Sequence, residues 1–262
     1  MAKVKAVVLR AAGINCDLET EYALEAAGAD AERIHINRLI ADTGLLEKYH
    51  ILVLPGGFSY GDDVAAGRIM ANQIVHHLGG PVRRFIEKGK LVLGICNGFQ
   101  VLVKAGILPG SGNNNEQSGV TITYNDSGRF EDRWVYLEPQ TDRCVFIEKG
   151  KRIYLPVAHG EGKVITKTAV LADELAAEGY IAFKYVDREG EQGGYPVNPN
   201  GSTASIAGLT DATGRVLGLM PHPERFVTAT QHPHWSRAEV KGAPVDGMSI
   251  FSNAVRWIEK AF

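Results

Sequence analysis

The chain has 262 residues, of which 45% are hydrophobic and 22% are charged, and its 28 basic and 30 acidic side chains leave a formal charge of −2. This composition excludes a wholly disordered or fibrous protein, and the small charge gives no general attraction to nucleic acid or to an anionic membrane. No apolar run approaches the roughly 20 residues that span a bilayer, and the first residues do not form a signal peptide. We expect a soluble, cytoplasmic protein made of one domain, residues 1–262.

The spacing of cysteines and histidines does not indicate a metal. The three cysteines, Cys16, Cys96 and Cys144, are far apart in the sequence and form no C-x-x-C pair. His232 and His234 stand without a carboxylate cluster, which favours a surface loop over a set of metal ligands. We therefore predict no metal site, and we expect Cys16 and Cys144 to be unreactive.

The first half of the sequence alternates short apolar runs with segments of helical spacing. Strands are predicted at 4–9, 33–36, 51–54 and 91–95, and helices at 18–27, 64–78, 83–88 and 97–105. This alternation is typical of a parallel sheet that is covered by helices on both faces.

The second half is richer in strands and turns. Strands are predicted at 120–124, 134–137, 152–157, 162–166, 181–185 and 216–220, helices at 171–178 and 250–260, and turn-rich loops at 113–117 and 193–202. No repeat, long linker or change of composition divides the chain, so an α/β fold in one domain accounts for both halves.

The sharpest chemical signal is the run G-I-C-N-G-F-Q at 94–100, where a buried strand leads into a cysteine and a helix begins at once. This is the pattern of a nucleophile elbow, in which the helix N-terminus favours a thiolate at Cys96. The backbone N–H of Asn97 is free to face an oxyanion, and Gln100 lies one helical turn beyond the cysteine. A small core cysteine between packing glycines would leave the same pattern, so this motif alone leaves both interpretations open.

A second signal, P-H-P-E at 221–224, directly follows the predicted strand 216–220. In an extended segment His222 and Glu224 project to the same side, so the carboxylate can hold one imidazole nitrogen while the other faces a thiol. A surface histidine in a proline-rich turn is the alternative.

A third signal is L-P-G-G-F-S-Y-G-D-D at 54–63, where glycines after a strand leave backbone N–H groups open to a ligand. The chain contains neither the G-x-x-x-x-G-K-[ST] phosphate loop nor a G-x-G-x-x-G that opens a helix. Alone, this segment could be an ordinary turn. Since sites in parallel sheets form at the carboxyl ends of strands, the three segments together predict acyl transfer through a thioester.

The sequence resembles the class I glutamine amidotransferases over essentially its whole length. Within them it is similar to the glutaminase components of phosphoribosylformylglycinamidine synthases, which serve purine biosynthesis. The motifs that carry this resemblance lie at 54–63, 94–100, 158–163 (A-H-G-E-G-K), 195–202 (Y-P-V-N-P-N-G-S) and 220–225 (M-P-H-P-E-R). The resemblance implies a flavodoxin-like three-layer sandwich with a mostly parallel central sheet.

The matching positions imply a catalytic triad and an oxyanion hole. Cys96 corresponds to the nucleophile, His222 to the base and then the acid, and Glu224 to the group that orients the histidine. The backbone N–H groups of Gly57 and Asn97 correspond to the oxyanion hole.

Further positions of the family's motifs imply contacts with the substrate. Gln100 stands where the family holds the substrate glutamine, with Gly56 and Gly98 beside it. His159 and Glu161 resemble a segment at the substrate or at an interface, and a structural turn is the alternative for them.

The resemblance also implies a partner. Ammonia would pass to a phosphoribosylformylglycinamidine synthetase subunit that carries ATP and Mg²⁺, so no cofactor is expected in this chain. We expect a separate chain, although segments 112–150, 195–202 and 230–246 look more like the glutaminase end of the long fused form, which leaves open whether a small third subunit takes part. The alternatives are a glutaminase that feeds another synthetase, a cysteine hydrolase of the same fold, and a subunit that only clasps a synthetase.

Overall fold

The computed structural model of the chain describes residues 3–110, 119–237, 242 and 244–262. The turn-rich loop predicted at 113–117 lies outside these residues, and so do parts of segments 112–150 and 230–246.

A mixed β-sheet forms the centre of the described chain. Its nine strands are β1 (Lys5–Arg10), β2 (Asp30–His35), β3 (Ile51–Leu54), β4 (Leu91–Ile95), β6 (Glu131–Pro139), β7 (Ile153–His159), β9 (Ile181–Val186), β10 (Ile206–Thr210) and β11 (Val216–Leu219). They lie in the order β2-β1-β3-β4-β11-β10-β9-β6-β7, and β5 (Val120–Thr123) pairs with β8 (Lys163–Thr166) in a separate two-stranded sheet.

The strand directions confirm the expected mostly parallel sheet. The pairs from β2 to β11 are all parallel, and the pairs from β11 to β7 are all antiparallel. Among the nine described strands, β10 and β6 therefore run against the direction of the other seven.

Helices pack around this sheet. They are α1 (Asp17–Ala26), α2 (Ile36–Ala41), α3 (Arg68–Gln73), α4 (Gly79–Glu87), α5 (Asn97–Lys104), α6 (Ala169–Ala177) and α7 (Asp246–Ala261). None of the helices that the structure describes has the length and apolar character that crossing a bilayer requires.

Three elements differ most from the sequence-based expectation. One is helix α2 (Ile36–Ala41), which was not predicted and begins at the last residue of the strand predicted at 33–36. The helix predicted at 64–78 begins only at Arg68, because Gly67 has a left-handed φ of 71° that a right-handed helix cannot contain, and it continues as a π-helix over Ile74–Leu78. Strand β10 was not predicted, since Ala207 and Gly208 have low strand propensity. It is buried at every residue, so packing between β9 and β11 outweighs propensity there.

The three central strands place the three sequence motifs together. β3 and β4 are buried at every residue, as parallel strands covered on both faces should be. β3 pairs with β4, and β4 pairs with β11, all in parallel. The segments that follow these strands, 55–63, 96–100 and 220–225, therefore meet at one edge of the sheet.

Candidate active site

Cys96 occupies a strained turn between β4 and α5. Its backbone has φ 49° and ψ −104°, a conformation that residues with a Cβ rarely adopt. Strain of this kind costs roughly 1–3 kcal/mol and is found where a function requires it. A Cβ on Gly98 would lie 1.9 Å from the Leu54 carbonyl oxygen, so glycine is needed there for the close packing of α5 on β3. The turn has the geometry of a nucleophile elbow.

We expect this strain to be measurable as a difference in stability between two substitutions. Cys96→Gly removes the Cβ and Cys96→Ala keeps it, so the free energy of unfolding should be about 1 kcal/mol higher for the glycine variant. Urea unfolding of both variants measures this. A glycine variant less stable than the alanine variant would show that the turn is unstrained.

The base of the site is a buried imidazole–carboxylate pair. His222 Nδ1 lies 2.6 Å from Glu224 Oε1, and the side chains are 2% and 0% exposed. The His222 backbone N–H donates to the Pro156 carbonyl at 2.8 Å, and Cys96 Sγ lies 3.8 Å from the carbonyl oxygen of Ala158. Strand β7 therefore forms a wall beside both the thiol and the imidazole.

The electrostatics of this pair favour a charged imidazole. Burial by itself lowers the pKa of His222, but the charge of Glu224 and the thiols of Cys96 and Cys16 raise it well above its ordinary value. A protonated His222 beside Cys96 can serve as a proton donor for a reaction at that thiol.

The backbone N–H groups predicted for an oxyanion hole are those of Gly57 and Asn97. No described residue accepts a hydrogen bond from the N–H of Gly57 or of Asn97. The loop that carries Gly57 is held by the Phe58 N–H, which donates to the Gly13 carbonyl at 2.9 Å. A Cβ on Gly56 would lie 2.8 Å from His222 Cε1, so glycine lets this loop approach the imidazole.

Gln100 lies within a network of polar side chains rather than in apolar packing. Its Nε2 donates to the carbonyl oxygen of Glu161, and its Oε1 accepts from Asn97 Nδ2 at 3.0 Å. Glu161 Oε2 in turn accepts from the Ala66 backbone N–H at 3.3 Å. The structure thus brings Gln100 and Glu161 together beside Cys96, and their predicted roles toward glutamine stay predictions.

His159 is buried and neutral. Asn125 Oδ1 accepts from the Gly162 N–H at 3.0 Å, so the His159 Nδ1 atom 3.0 Å from the same oxygen carries a proton. Its Nε2 is then a bare acceptor, with no partner among the described residues. Burial, with a smaller contribution from the charge of His222, lowers the pKa of His159 to about 3.

This low pKa predicts a loss of stability in acid. The unfolded histidine has a pKa near 6.5 and the folded one about 3, so between these values the unfolded state binds more protons and stability falls as the pH falls. Relative to His159→Asn, the wild-type chain should lose about 2 kcal/mol more unfolding free energy between pH 7.5 and pH 5. Urea unfolding at both pH values measures this difference. His77→Asn, at an exposed position, should behave like the wild type. Equal acid losses in wild type and His159→Asn would contradict the argument.

Cys16 lies at the site, which the sequence did not indicate. Its sulfur and donor atoms of His222 and Glu224 all lie within 4.8 Å of one another. His222 Nδ1 lies 2.6 Å from Glu224 Oε1, and Arg225 Nη2 donates to Cys16 Sγ at 3.1 Å. Burial raises the pKa of Cys16, and that of Cys144 to about 12. The missed contact arises from tertiary packing, since no elbow motif surrounds Cys16.

Unpartnered polar atoms concentrate around the thiol. In the described part of the chain, the buried side-chain atoms without a hydrogen-bond partner are Ser59 Oγ, His159 Nε2, Arg215 Nε, His222 Nε2 and Glu224 Oε2. All except the arginine atom belong to segments that surround Cys96. Buried polar groups normally find partners, so these atoms mark positions where a substrate or water can bind.

An enzyme that works through a thioester needs a thiol, a proton carrier and donors for an oxyanion, and the carboxyl edge of this sheet holds candidates for all three. The comparison with protein families agrees with that class. The family model of the CobB/CobQ-like glutamine amidotransferase domain matches residues 3–258. The chain belongs to this family of glutamine amidotransferases.

Individual relatives show which members of this family the chain is similar to. The phosphoribosylformylglycinamidine synthase subunit PurQ of Dehalococcoides mccartyi is 48% identical over 259 residues, which cover 98% of each chain. PurQ of Archaeoglobus fulgidus is 40% identical over 272 residues, again 98% of each chain. Among solved structures, a chain of PurLQS from Thermotoga maritima is 31% identical with a TM-score of 0.71, and the match covers 98% of this chain and all of that one.

Proposed function

We propose that this chain is the glutaminase subunit of a phosphoribosylformylglycinamidine synthase. It hydrolyses glutamine to glutamate and ammonia and delivers the ammonia to a synthetase subunit, which forms the amidine in purine biosynthesis. The observation that carries the chemistry is the strained Cys96 beside the buried pair of His222 and Glu224. The PurQ relatives support the pathway.

In the proposed first step the Cys96 thiolate attacks the carboxamide carbon of glutamine. The carbonyl oxygen becomes an oxyanion that the N–H groups of Gly57 and Asn97 stabilise. The C–N bond then breaks, and the imidazolium of His222 gives its proton to the departing nitrogen, which leaves as ammonia. The product of this step is a thioester between Cys96 and the glutamyl group.

In the second step water replaces the thiol. Neutral His222 takes a proton from the water as it attacks the thioester, and a second oxyanion forms in the same hole. When this intermediate collapses, the C–S bond breaks, and the product leaves as a carboxylic acid that gives its proton to solvent and becomes glutamate. Cys96 is then again a thiolate beside an imidazolium. Glu224 holds the imidazole in place through both steps, as the carboxylate of a triad does.

The synthetase subunit supplies the chemistry that this chain lacks. The sequence has no phosphate loop, which supports binding of ATP and Mg²⁺ by the partner. A partner of the PurL kind is supported by the likeness to a chain of PurLQS. The proposal includes a cytoplasmic location and one domain over residues 1–262. It leaves open whether a small third subunit takes part.

The test is glutamate release from glutamine by the purified chain, alone and with the PurL-type synthetase of the same host, ATP and formylglycinamide ribonucleotide. We expect strong stimulation by the partner and one amidine formed per glutamate released. Glutamate release without amidine would favour a glutaminase that feeds another synthetase. If no glutamate is released under any condition, the chain is a cysteine hydrolase or a docking subunit. Failure of a glutamine analogue to label Cys96 would support these alternatives.

A further inference from the structure

The loop after the predicted oxyanion donor has an unusual backbone. Tyr60, Gly61 and Asp62 follow one another with left-handed φ values of 56°, 74° and 53°. This conformation is unfavourable for residues with a Cβ, so hydrogen bonds must hold it. The Tyr60 N–H donates to the Ala12 carbonyl at 2.7 Å, and the Gly67 N–H donates to Asp62 Oδ1 at 3.0 Å. The result is an Asp62 carboxylate that points back at the start of α5.

That carboxylate determines the orientation of a neighbouring amide. Asp62 Oδ1 also accepts from Asn97 Nδ2 at 3.2 Å. An ionised carboxylate can only accept hydrogen bonds, so it selects the nitrogen end of the Asn97 amide. The oxygen end is left for the Ser59 backbone N–H, which donates to Asn97 Oδ1 at 3.2 Å.

Asn97 in turn contacts the side chain of Gln100. The second N–H of Asn97 Nδ2 donates to Gln100 Oε1 at 3.0 Å, which turns the Gln100 amide so that its nitrogen faces the Glu161 carbonyl. Asp62 therefore holds the nitrogen end of the Asn97 amide, which in turn contacts Gln100. The Ser59 N–H, a donor, and the Glu161 carbonyl, an acceptor, favour the same direction of the two amides, so loss of Asp62 removes a contact that fixes their position and does not reverse them.

We propose that Asp62 is a positioning residue for glutamine hydrolysis, because it orients Asn97 and, through Asn97, Gln100. The inference rests on the proposed function and deepens it. Asp62 belongs to the segment F-S-Y-G-D-D, which the proposed steps leave without a role. Its neighbour Asp63 is exposed and accepts no hydrogen bond from another described residue, so the motif contains its own matched control.

The test compares Asp62→Ala, Asp62→Asn and Asp63→Ala in the complex with the synthetase. We expect Asp62→Ala to lower kcat/KM for glutamine about 10²-fold, since small displacements of positioned groups have effects of this size. Asp62→Asn keeps an acceptor oxygen and should remain within about tenfold of wild type. Asp63→Ala should match the wild type. Amidine formation from added ammonium should be equal in all four proteins, because ammonia bypasses the glutamine site.

Labelling of Cys96 separates positioning from folding. A chloroketone analogue of glutamine must bind in the site, whereas iodoacetamide needs only the thiolate. Asp62→Ala should slow the first reaction and leave the second unchanged. Equal kcat/KM in Asp62→Ala and wild type would overturn the inference while leaving the proposed function intact. Parallel losses of iodoacetamide reactivity and ammonium-dependent synthesis would overturn it as well, in favour of a structural role. A wild-type complex that releases no glutamate would overturn both proposals.

Discussion

Cys96→Ala is expected to abolish glutamine-dependent amidine formation by the complex, with a loss of at least about 10⁴-fold, as removal of a covalent nucleophile usually causes. The physical reason is that no other described thiol shares its position, on a strained turn next to the imidazole. Amidine formation from ammonium should persist, because the variant keeps the backbone of the site and its docking surface. Both activities are measured as amidine formed per minute at saturating ATP.

Cys144→Ala is the matched control for this substitution. Cys144 is a buried thiol, 2% exposed, and it is absent from the contacts of His222. Its alanine variant should keep full glutamine-dependent activity. If Cys96→Ala still used glutamine, Cys96 would not be the nucleophile, and Cys16 would become the next thiol to test, since it also contacts His222.

Glu224→Gln is expected to lower kcat for glutamine hydrolysis by about 10³ to 10⁴, the size of effect seen when a triad carboxylate becomes an amide. Glutamine at this position can donate a hydrogen bond to the imidazole and stabilise the wrong tautomer. It also removes the charge that, after the opposing effect of burial, does most to raise the pKa of His222. The proposed first step needs an imidazolium at His222 as proton donor, so the alkaline limb of the pH–rate profile should move to lower pH. Glutamate release measured between pH 6 and pH 10 reports both effects.

Glu19→Gln tests whether loss of any nearby carboxylate has this effect. Glu19 Oε2 lies 3.5 Å from Arg225 Nε, and its side chain is 44% exposed. It is close to the site, but it does not contact His222. The control should keep both the rate and the profile of the wild type. A Glu224→Gln enzyme within threefold of wild type would show that Glu224 does not orient the base.

The elements with strong local patterns were predicted closely. The predicted strands 51–54 and 91–95 have the observed bounds, because an unbroken apolar run between turns leaves little choice of structure. The elbow at Cys96 was also predicted, since strand, glycines and helix start all lie within a few residues. Local sequence patterns failed for the helix predicted at 64–78 and for strand β10, which was not predicted. Backbone strain and burial determined these two elements.

The candidate site likewise has parts that the sequence predicted and parts that it did not. The predicted contact of His222 with Glu224 is present at 2.6 Å, but the extended segment expected to produce it is not. Pro223–Arg225 form a 3-10 helix with His222 at its N-cap, and this turn brings the two side chains together. Cys16, by contrast, is 80 residues from Cys96 and more than 200 from His222 in sequence, and no local rule connects them. The tautomer of His159 depends on Asn125, which comes from another part of the chain.

The sequence by itself determined the parallel half of the sheet, the strained cysteine turn and the imidazole–carboxylate pair, because each depends on residues within one or two turns of the chain. Only the tertiary structure decided how these parts meet: which strands turn antiparallel beyond β11, which second thiol reaches His222, and how Asp62 orients Asn97 and Gln100. Those arrangements depend on burial and on hydrogen bonds between distant segments. Their energies exist only once the core has packed, so no local pattern in the sequence records them.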